Sequence, residues 1–348
     1  MRVATYNVEW FHALFDPEGR LLCDAAPSAR ENVTRAQQID ALIEVFRAID
    51  ADAVLVVEAP DISRRHDGVT ALETFSAAAG IRARAVLSGF ANHTQQEIML
   101  LYDPDVIVAR HDPLGPIAGR KGRADAPRFD TYFRIDLDID ATEDVVAFSK
   151  PPLEAALETP LGDLRLIGCH VKSKAPHGAE TPDEAMSIAI ANRRKQLAQC
   201  IWLRRRIEEH LASGDRLIVA GDLNDGPGLD EYERLFGRSG VEIVAGTDAP
   251  PEARLYDPHA DRALQSRISA QPTTARFFIA PEKRWLAALL DYVMVSPNLR
   301  PLARRWRIWH PFDDPECWAD AALRRALLHA SDHFPVTLDL GGLGDAAT

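Results

Sequence analysis

The 348-residue sequence lacks any surplus of positive charge: 40 Lys and Arg stand against 52 Asp and Glu, a formal net charge of −12. A protein that holds a polyanion through bulk charge alone is therefore disfavoured. Cysteine is scarce. Cys23, Cys169, Cys200 and Cys317 are far apart, with no Cys-x-x-Cys pair and no Cys/His zinc spacing. Neither a disulfide scaffold nor a thiolate metal site is expected, and four free thiols suit a cytoplasmic protein. Long hydrophobic runs are missing as well. Stretches such as Ala53–Val57 are five residues long, against about 20 for a membrane-spanning helix. The start, MRVATYNVEWF, has neither the apolar segment nor the cleavage site of a secretory leader. The expectation is a cytoplasmic protein with no membrane span and no obligate protein partner. Repeats and low-complexity linkers are absent too. The composition, 46% hydrophobic and 26% charged, is that of an ordinary globular chain, which removes collagen, coiled coil and disorder as overall descriptions.

What is present is a spread of strands and helices from end to end. Val3, Thr5 and Asn7 alternate with Ala4, Tyr6 and Val8, as in a strand. Ile39, Leu42, Ile43, Phe46 and Ile49 recur at helical spacing over Arg35–Ile49, and the apolar strand AVLVV follows, ending at Glu58. Further strands are predicted at Arg82–Ser88, Glu97–Tyr102, Thr131–Ile139, Leu164–His170, Arg216–Ala220, Leu289–Ser296 and Phe334–Leu340. Helices are predicted at Leu72–Ala79, Glu184–Ala212 and Ala321–His329. Length alone would suggest roughly two domains, but the even spread favours a single domain over 1–340, with 341–348 as a flexible tail. Asp16–Glu31, Leu114–Arg128, Ala175–Thr181 and Gly246–Thr274 read as loops of functional size.

Polar residues gather where strands end. Asn7, Glu58, His170, the run GDLND (Asp222, Asn224) and the pair Asp332-His333 all fall at or just after strands, while Glu97 and Asp291 open them. Carboxylates are depleted in strands, so their repetition at strand ends needs a cause. A hard divalent ion that takes carboxylate and amide oxygens is one cause. Histidines whose tautomer and charge are fixed by carboxylates are another. Lys172 and Lys174 follow His170 at a spacing of two, on its side of the strand, and suit phosphate binding. His177 lies just beyond them and suits a substrate contact. Arg193 and Gln196, early in the long helix, read as packing support. Trp306 and Trp309, within the basic run Arg304–His310, fit either base stacking or the core.

Taken in order, ATYNVEW, VLVVEAP, QEIMLLYDP, IGCHVKSK, IVAGDLND, LLDYVMVSP and SDHFPV resemble the motifs of the endonuclease/exonuclease/phosphatase superfamily of metal-dependent hydrolases. The resemblance runs from residue 5 to 336. It implies an α/β (α+β) fold: a four-layer sandwich of two mixed β-sheets packed face to face, with helices on both outer faces. It implies Mg²⁺ or Mn²⁺ as cofactor, with Glu58 as the main metal carboxylate beside Asn7 and Asp332. Asp222 then resembles the aspartate that positions or deprotonates the attacking water, and Asn224 the amide at the phosphate or water. His333 resembles the histidine at the phosphate, with Asp291 orienting it. His170 resembles the second histidine, with Glu97 as its orienting carboxylate. Arg128 sits where some relatives place a phosphate-binding arginine. The implied activity is phosphodiester hydrolysis, foremost a nuclease acting on DNA. The alternative is a phosphatase or phosphodiesterase acting on a small-molecule or lipid head-group ester at the same site.

Overall fold

The computed structural model describes residues 1–137, 143–176, 178–227, 237–265, 270–279 and 283–341. In chain order the strands are β1 (Arg2–Asn7), β2 (Ala53–Ala59), β3 (Ala85–Ser88), β4 (Glu97–Tyr102), β5 (Val108–His111), β6 (Phe133–Ile135), β7 (Asp144–Val146), β8 (Leu153–Thr159), β9 (Gly162–His170) and β10 (Leu217–Asp222). They continue with β11 (Ala275–Ile279), β12 (Arg284–Ala288), β13 (Asp291–Val295), β14 (Ala303–Ile308) and β15 (Val336–Leu340). The main helices are α1 (Arg35–Ile49), α2 (Gly68–Ala79), α3 (Pro182–Ala212) and α4 (Ala321–Ala330).

Two sheets form the centre, one ordered β14-β15-β1-β2-β4-β3 and the other β13-β10-β9-β8-β5. Each mixes directions: β1–β2 and β9–β10 run parallel, and the other ladders are antiparallel. Successive side chains of a strand point to opposite faces, and here both faces are covered. On β2, Ala53, Leu55 and Val57 face the second sheet, where they join Leu164, Leu166, Ile218 and Ala220. Val54 and Val56 face outward onto α1, α2 and α4. The second sheet turns Ile167, Cys169, Leu217 and Val219 outward onto α3. Three apolar layers between four layers of backbone make the four-layer sandwich that the motifs implied. Strands buried on both faces explain why AVLVV and LIVA read as unbroken apolar runs.

The sheets approach closely at Gly168, where a Cβ would lie 2.4 Å from Leu55 Cδ1. Helices start where their sequence says they should. Thr34 and Gln37 form a capping box on α1, and Thr181 and Glu184 form one on α3, behind Pro182 in its first turn.

Some expectations needed revision. Of the predicted strand Thr131–Ile139, only Phe133–Ile135 is a strand among the described residues, and 138–139 lie outside them. The Gly246–Thr274 loop contains a helix, Pro258–Gln265. Strands β5, β7, β8, β11, β12 and β14 lie outside the predicted ones. Trp306 and Trp309 belong to the core: Trp309 is buried, and each indole donates within the fold, to Val293 O and Thr337 Oγ1. His177 and the tail 342–348 lie outside the described residues.

Candidate active site

Register brings the strand-end residues together. In the second sheet Asp222 pairs with His170 across the parallel β9–β10 ladder and with Asp291 across the antiparallel β10–β13 ladder. The three lie in one row at the sheet's edge. In the first sheet Asn7 ends β1 opposite Val57, and the β2–β4 register shifts between Val57 and Ala59. Glu58 sits in that bulge with φ 59°, which turns its side chain out of the strand's alternation.

A hydrogen bond joins the two sheets: Asn7 Nδ2 donates to Asp222 Oδ2 at 3.1 Å. Asn224, left-handed at φ 50°, donates its backbone N–H to Asp222 Oδ1 at 2.7 Å and its Nδ2 to Asp222 Oδ2 at 3.1 Å. The turn that holds it needs Gly221, at φ 127°, where a Cβ would fall 2.0 Å from Cys169 O. Behind the turn Arg193 donates to Gln196 and to Asp225, at 2.7 Å each, and Gln196 Nε2 donates to Asn224 O at 2.9 Å. Arg193 and Gln196 are thus the scaffold of GDLND, as their spacing suggested.

His333 and Asp291 form a buried pair, with Nδ1 2.7 Å from Asp291 Oδ2. The same oxygen accepts from Thr274 Oγ1 at 2.8 Å. Burial alone would lower the His333 pKa, but Asp291, Asp332 and Asp222 outweigh it and hold the imidazole well above its ordinary value. His170 goes the other way. Burial and the neighbouring Lys150, His333 and Lys172 push it well below the ordinary value. Its Nε2 lies 3.4 Å from Lys150 Nζ and 3.7 Å from Asp222 Oδ2. Asp222 is raised to about 7 by burial and by the nearby Asp291, against His333 and two donated hydrogen bonds.

One implied pairing, Glu97 with His170, is not present among the described residues. The Glu97 carboxylate accepts from Asn92 N at 3.3 Å and Asn92 Nδ2 at 2.8 Å rather than orienting His170, whose Nδ1 has no partner among the described residues. The expectation for Glu97 is corrected accordingly: it pins the Asn92 loop, and burial raises its pKa to about 7. Arg128 is engaged by Asp130 through two nitrogens, at 2.6 and 2.7 Å, with its guanidinium over Phe90. It makes no bond to the Asp222 cluster. Lys174 Nζ is held by Asp225 at 2.7 Å. Lys172 is half-buried, and its charge acts on both His170 and Lys150.

Three residues escaped the sequence reading. Lys150 precedes β8, a strand that was not delineated, so nothing placed it. Gln96 Nε2 donates to Glu58 Oε2 at 2.8 Å, and its signal was only its place beside Glu97. Glu9 was visible as the acid just behind the first strand. It pairs with Arg30, accepts from Asp332 N at 3.2 Å, and is raised to about 7 by burial and Asp332.

The oxygen donors suit a hard divalent cation. Glu58 Oε2 accepts from Trp10 N at 2.9 Å and from Gln96, while its Oε1 has no hydrogen-bond partner among the described residues. Asn7 adjoins Glu58 through the ladder, and Ser331 Oγ donates to Asn7 O at 2.8 Å, which seats Asp332 nearby. The tightest donor trio among the described residues is a different one, Asp222, Asp291 and His333, whose donor atoms lie within 4.8 Å of one another. Within it His333 is turned to Asp291 through Nδ1 at 2.7 Å, which leaves only its Nε2 for another partner.

The family model of the endonuclease/exonuclease/phosphatase family matches residues 4–333. The chain belongs to that family. Its solved structural relatives include a 3′–5′ exonuclease of Neisseria meningitidis, at 14% identity and TM-score 0.51, covering 98% of this chain and 100% of that one. A 3′ phosphatase from Neisseria bound to a product DNA hairpin matches at 14% identity and TM-score 0.50, with the same coverages. A family protein from Bacteroides thetaiotaomicron matches at 14% identity and TM-score 0.51, covering 100% of this chain and 97% of that one. At such identities the likeness establishes the sandwich fold. No curated protein sequence matched the chain. Among the described residues no helix of this family member is long and apolar enough to cross a membrane.

Proposed function

We propose that this family member is a Mg²⁺- or Mn²⁺-dependent hydrolase of phosphodiester bonds, and that its substrate is DNA. The observation that carries the reading is the charged His333–Asp291 pair set within 4.8 Å of Asp222. It supports the reading because the two groups proposed as acid and base lie side by side at the meeting edge of two sheets. Glu58, with Asn7 and Asp332, would hold the ion, which supplies positive charge to the phosphate and its leaving oxygen. The protein's own groups do the rest. Asp222, with a pKa near neutrality and its oxygens fixed by Asn7 and Asn224, takes the proton of the attacking water. His333 donates to a non-bridging oxygen as charge builds there. Lys150 adds a second cation. His170 stays neutral, so it offers an N–H donor rather than a charge.

The choice of DNA leans on the two Neisseria structures, whose fold this chain shares. A panel at fixed Mg²⁺ tests it: plasmid, single-stranded DNA, RNA, bis-nitrophenyl phosphate, sphingomyelin and inositol phosphates. Metal-dependent cleavage of a DNA substrate that is lost in Asp222→Ala is expected. Turnover of one small or lipid ester, with every nucleic acid untouched, would transfer the site to the alternative substrate class.

A further inference from the structure

The β11–β12 hairpin grows directly out of the catalytic pair. Ala275 bridges to His333, Arg276 N donates to Asp332 O at 2.7 Å, and Phe334 N donates to Thr274 O at 2.6 Å. The hairpin belongs to neither large sheet; Ala275 and Ala288 are buried at its base, while Phe278 and Trp285 are exposed further along. On it Phe278 and Trp285 are cross-strand partners with ring centroids 5.5 Å apart, 45% and 57% exposed. Arg276 lies between Trp285 and Phe312, its guanidinium carbon 4.9 Å from each ring centre. Phe312 continues to Trp318 at 6.3 Å, and Arg324 covers the Trp318 ring. Six aromatic side chains are exposed among the described residues, and four of them fall in this one string. Such clustering is unlike the scatter of single exposed apolar residues that needs no explanation.

The cation at its centre is also unusual for this chain. Most arginines here are tied to carboxylates or carbonyls. The Arg276 guanidinium lies over two aromatic rings, Trp285 and Phe312, and among the described residues it has no acid partner. A positive charge with no counter-ion among the described residues, flanked by exposed rings and rooted in the proposed phosphate-cleaving site, matches an unpaired strand. Its phosphates carry the anion and its bases carry the stacking surface.

We infer that Phe278, Trp285, Arg276 and Phe312 form a platform on which the unpaired bases next to the scissile phosphate stack. The inference rests on the nuclease reading and specifies its substrate as single-stranded or frayed nucleic acid. Trp306 and Trp309, which the sequence left between base stacking and the core, pack into the core, and the platform is built by aromatics outside every motif.

The test compares kcat/KM for a single-stranded oligonucleotide with that for bis-nitrophenyl phosphate, which has no bases to stack. In Trp285→Ala the ratio of the two should fall about tenfold, from stacking of one base on one ring. Phe278→Ala should add to it, and Trp285→Phe should restore most of the ratio. An unchanged ratio, with the wild type still cleaving the oligonucleotide, would overturn the platform and leave the nuclease reading standing. Equal losses on both substrates would also overturn it, showing that the hairpin only supports His333. If the wild type cleaves the small ester and no nucleic acid, the nuclease reading fails first.

Discussion

His333 and His170 stand at the same edge of the sandwich, both buried, both beside Asp222, and they are built in opposite ways. His333 has a carboxylate on its Nδ1, supplied by the first residue of β13, and is held charged. His170 has an ammonium near its Nε2, supplied by the segment before β8, no partner on Nδ1 among the described residues, and is pushed toward its neutral form. Residue type and burial are shared, so the neighbouring strand ends decide the charge. In the proposed mechanism these opposite shifts would divide the labour: one histidine would act as a charged donor, and the other would line the site without adding to its charge.

The comparison breaks most visibly if the carboxylate is removed. Asp291→Asn leaves His333 without the partner that keeps it protonated and aligned, and kcat should fall about 10²–10⁴-fold, the range for a positioned acid–base group. The pH–rate profile supplies the sign. His333 loses its proton as pH rises through its raised pKa, so the alkaline limb should move to lower pH in the variant. An unmoved limb would show that His333 charge does not govern that limb.

Lys150→Ala sharpens the other half. Losing a charged donor near the phosphate should raise KM about tenfold, the scale of one charge-assisted hydrogen bond. It should also let His170 titrate closer to its ordinary value, since Lys150 opposes its protonation. Steady-state kinetics and histidine NMR titration read the two effects separately.

Stability should divide the same way with smaller amplitude. His170 is depressed when folded, so the unfolded chain takes its proton first. The stability this group contributes is present above its ordinary value of 6.5 and is lost as pH falls from there toward the folded value. His333 is raised, so its contribution is full below 6.5 and is lost as pH rises through the folded value. Thermal melts across pH should therefore show His170→Gln flattening the acid-side decline and His333→Gln flattening the alkaline one, each by at most about 1.4 kcal/mol per pH unit.

The fold was legible where strands are buried on both faces, because AVLVV and LIVA carry an unbroken apolar signal. It was not legible in β8, where Glu154 interrupts the pattern. That residue is buried against Arg206 at 2.9 Å, a pairing across 52 residues that no local periodicity reveals. The candidate cluster was legible in two ways: Asp222 and Asp291 because a carboxylate at a strand end is conspicuous against propensity, and Asn224 and His333 because they fall in motifs that resemble the family's. Glu97 misled because its position in QEIMLLYDP suits a histidine partner, whereas local chemistry gave its oxygens to Asn92, five residues earlier. Lys150 stayed hidden because a lysine before a proline in an unrecognised turn carries no signal of its own.

The most direct test of the account is cleavage of a labelled single-stranded oligonucleotide at fixed Mg²⁺ by the wild type and by His333→Gln, each with and without EDTA. The account predicts wild-type turnover that EDTA abolishes and a loss of about 10²–10⁴-fold in the variant. Turnover that persists in EDTA, or that is equal in the two proteins, would contradict it.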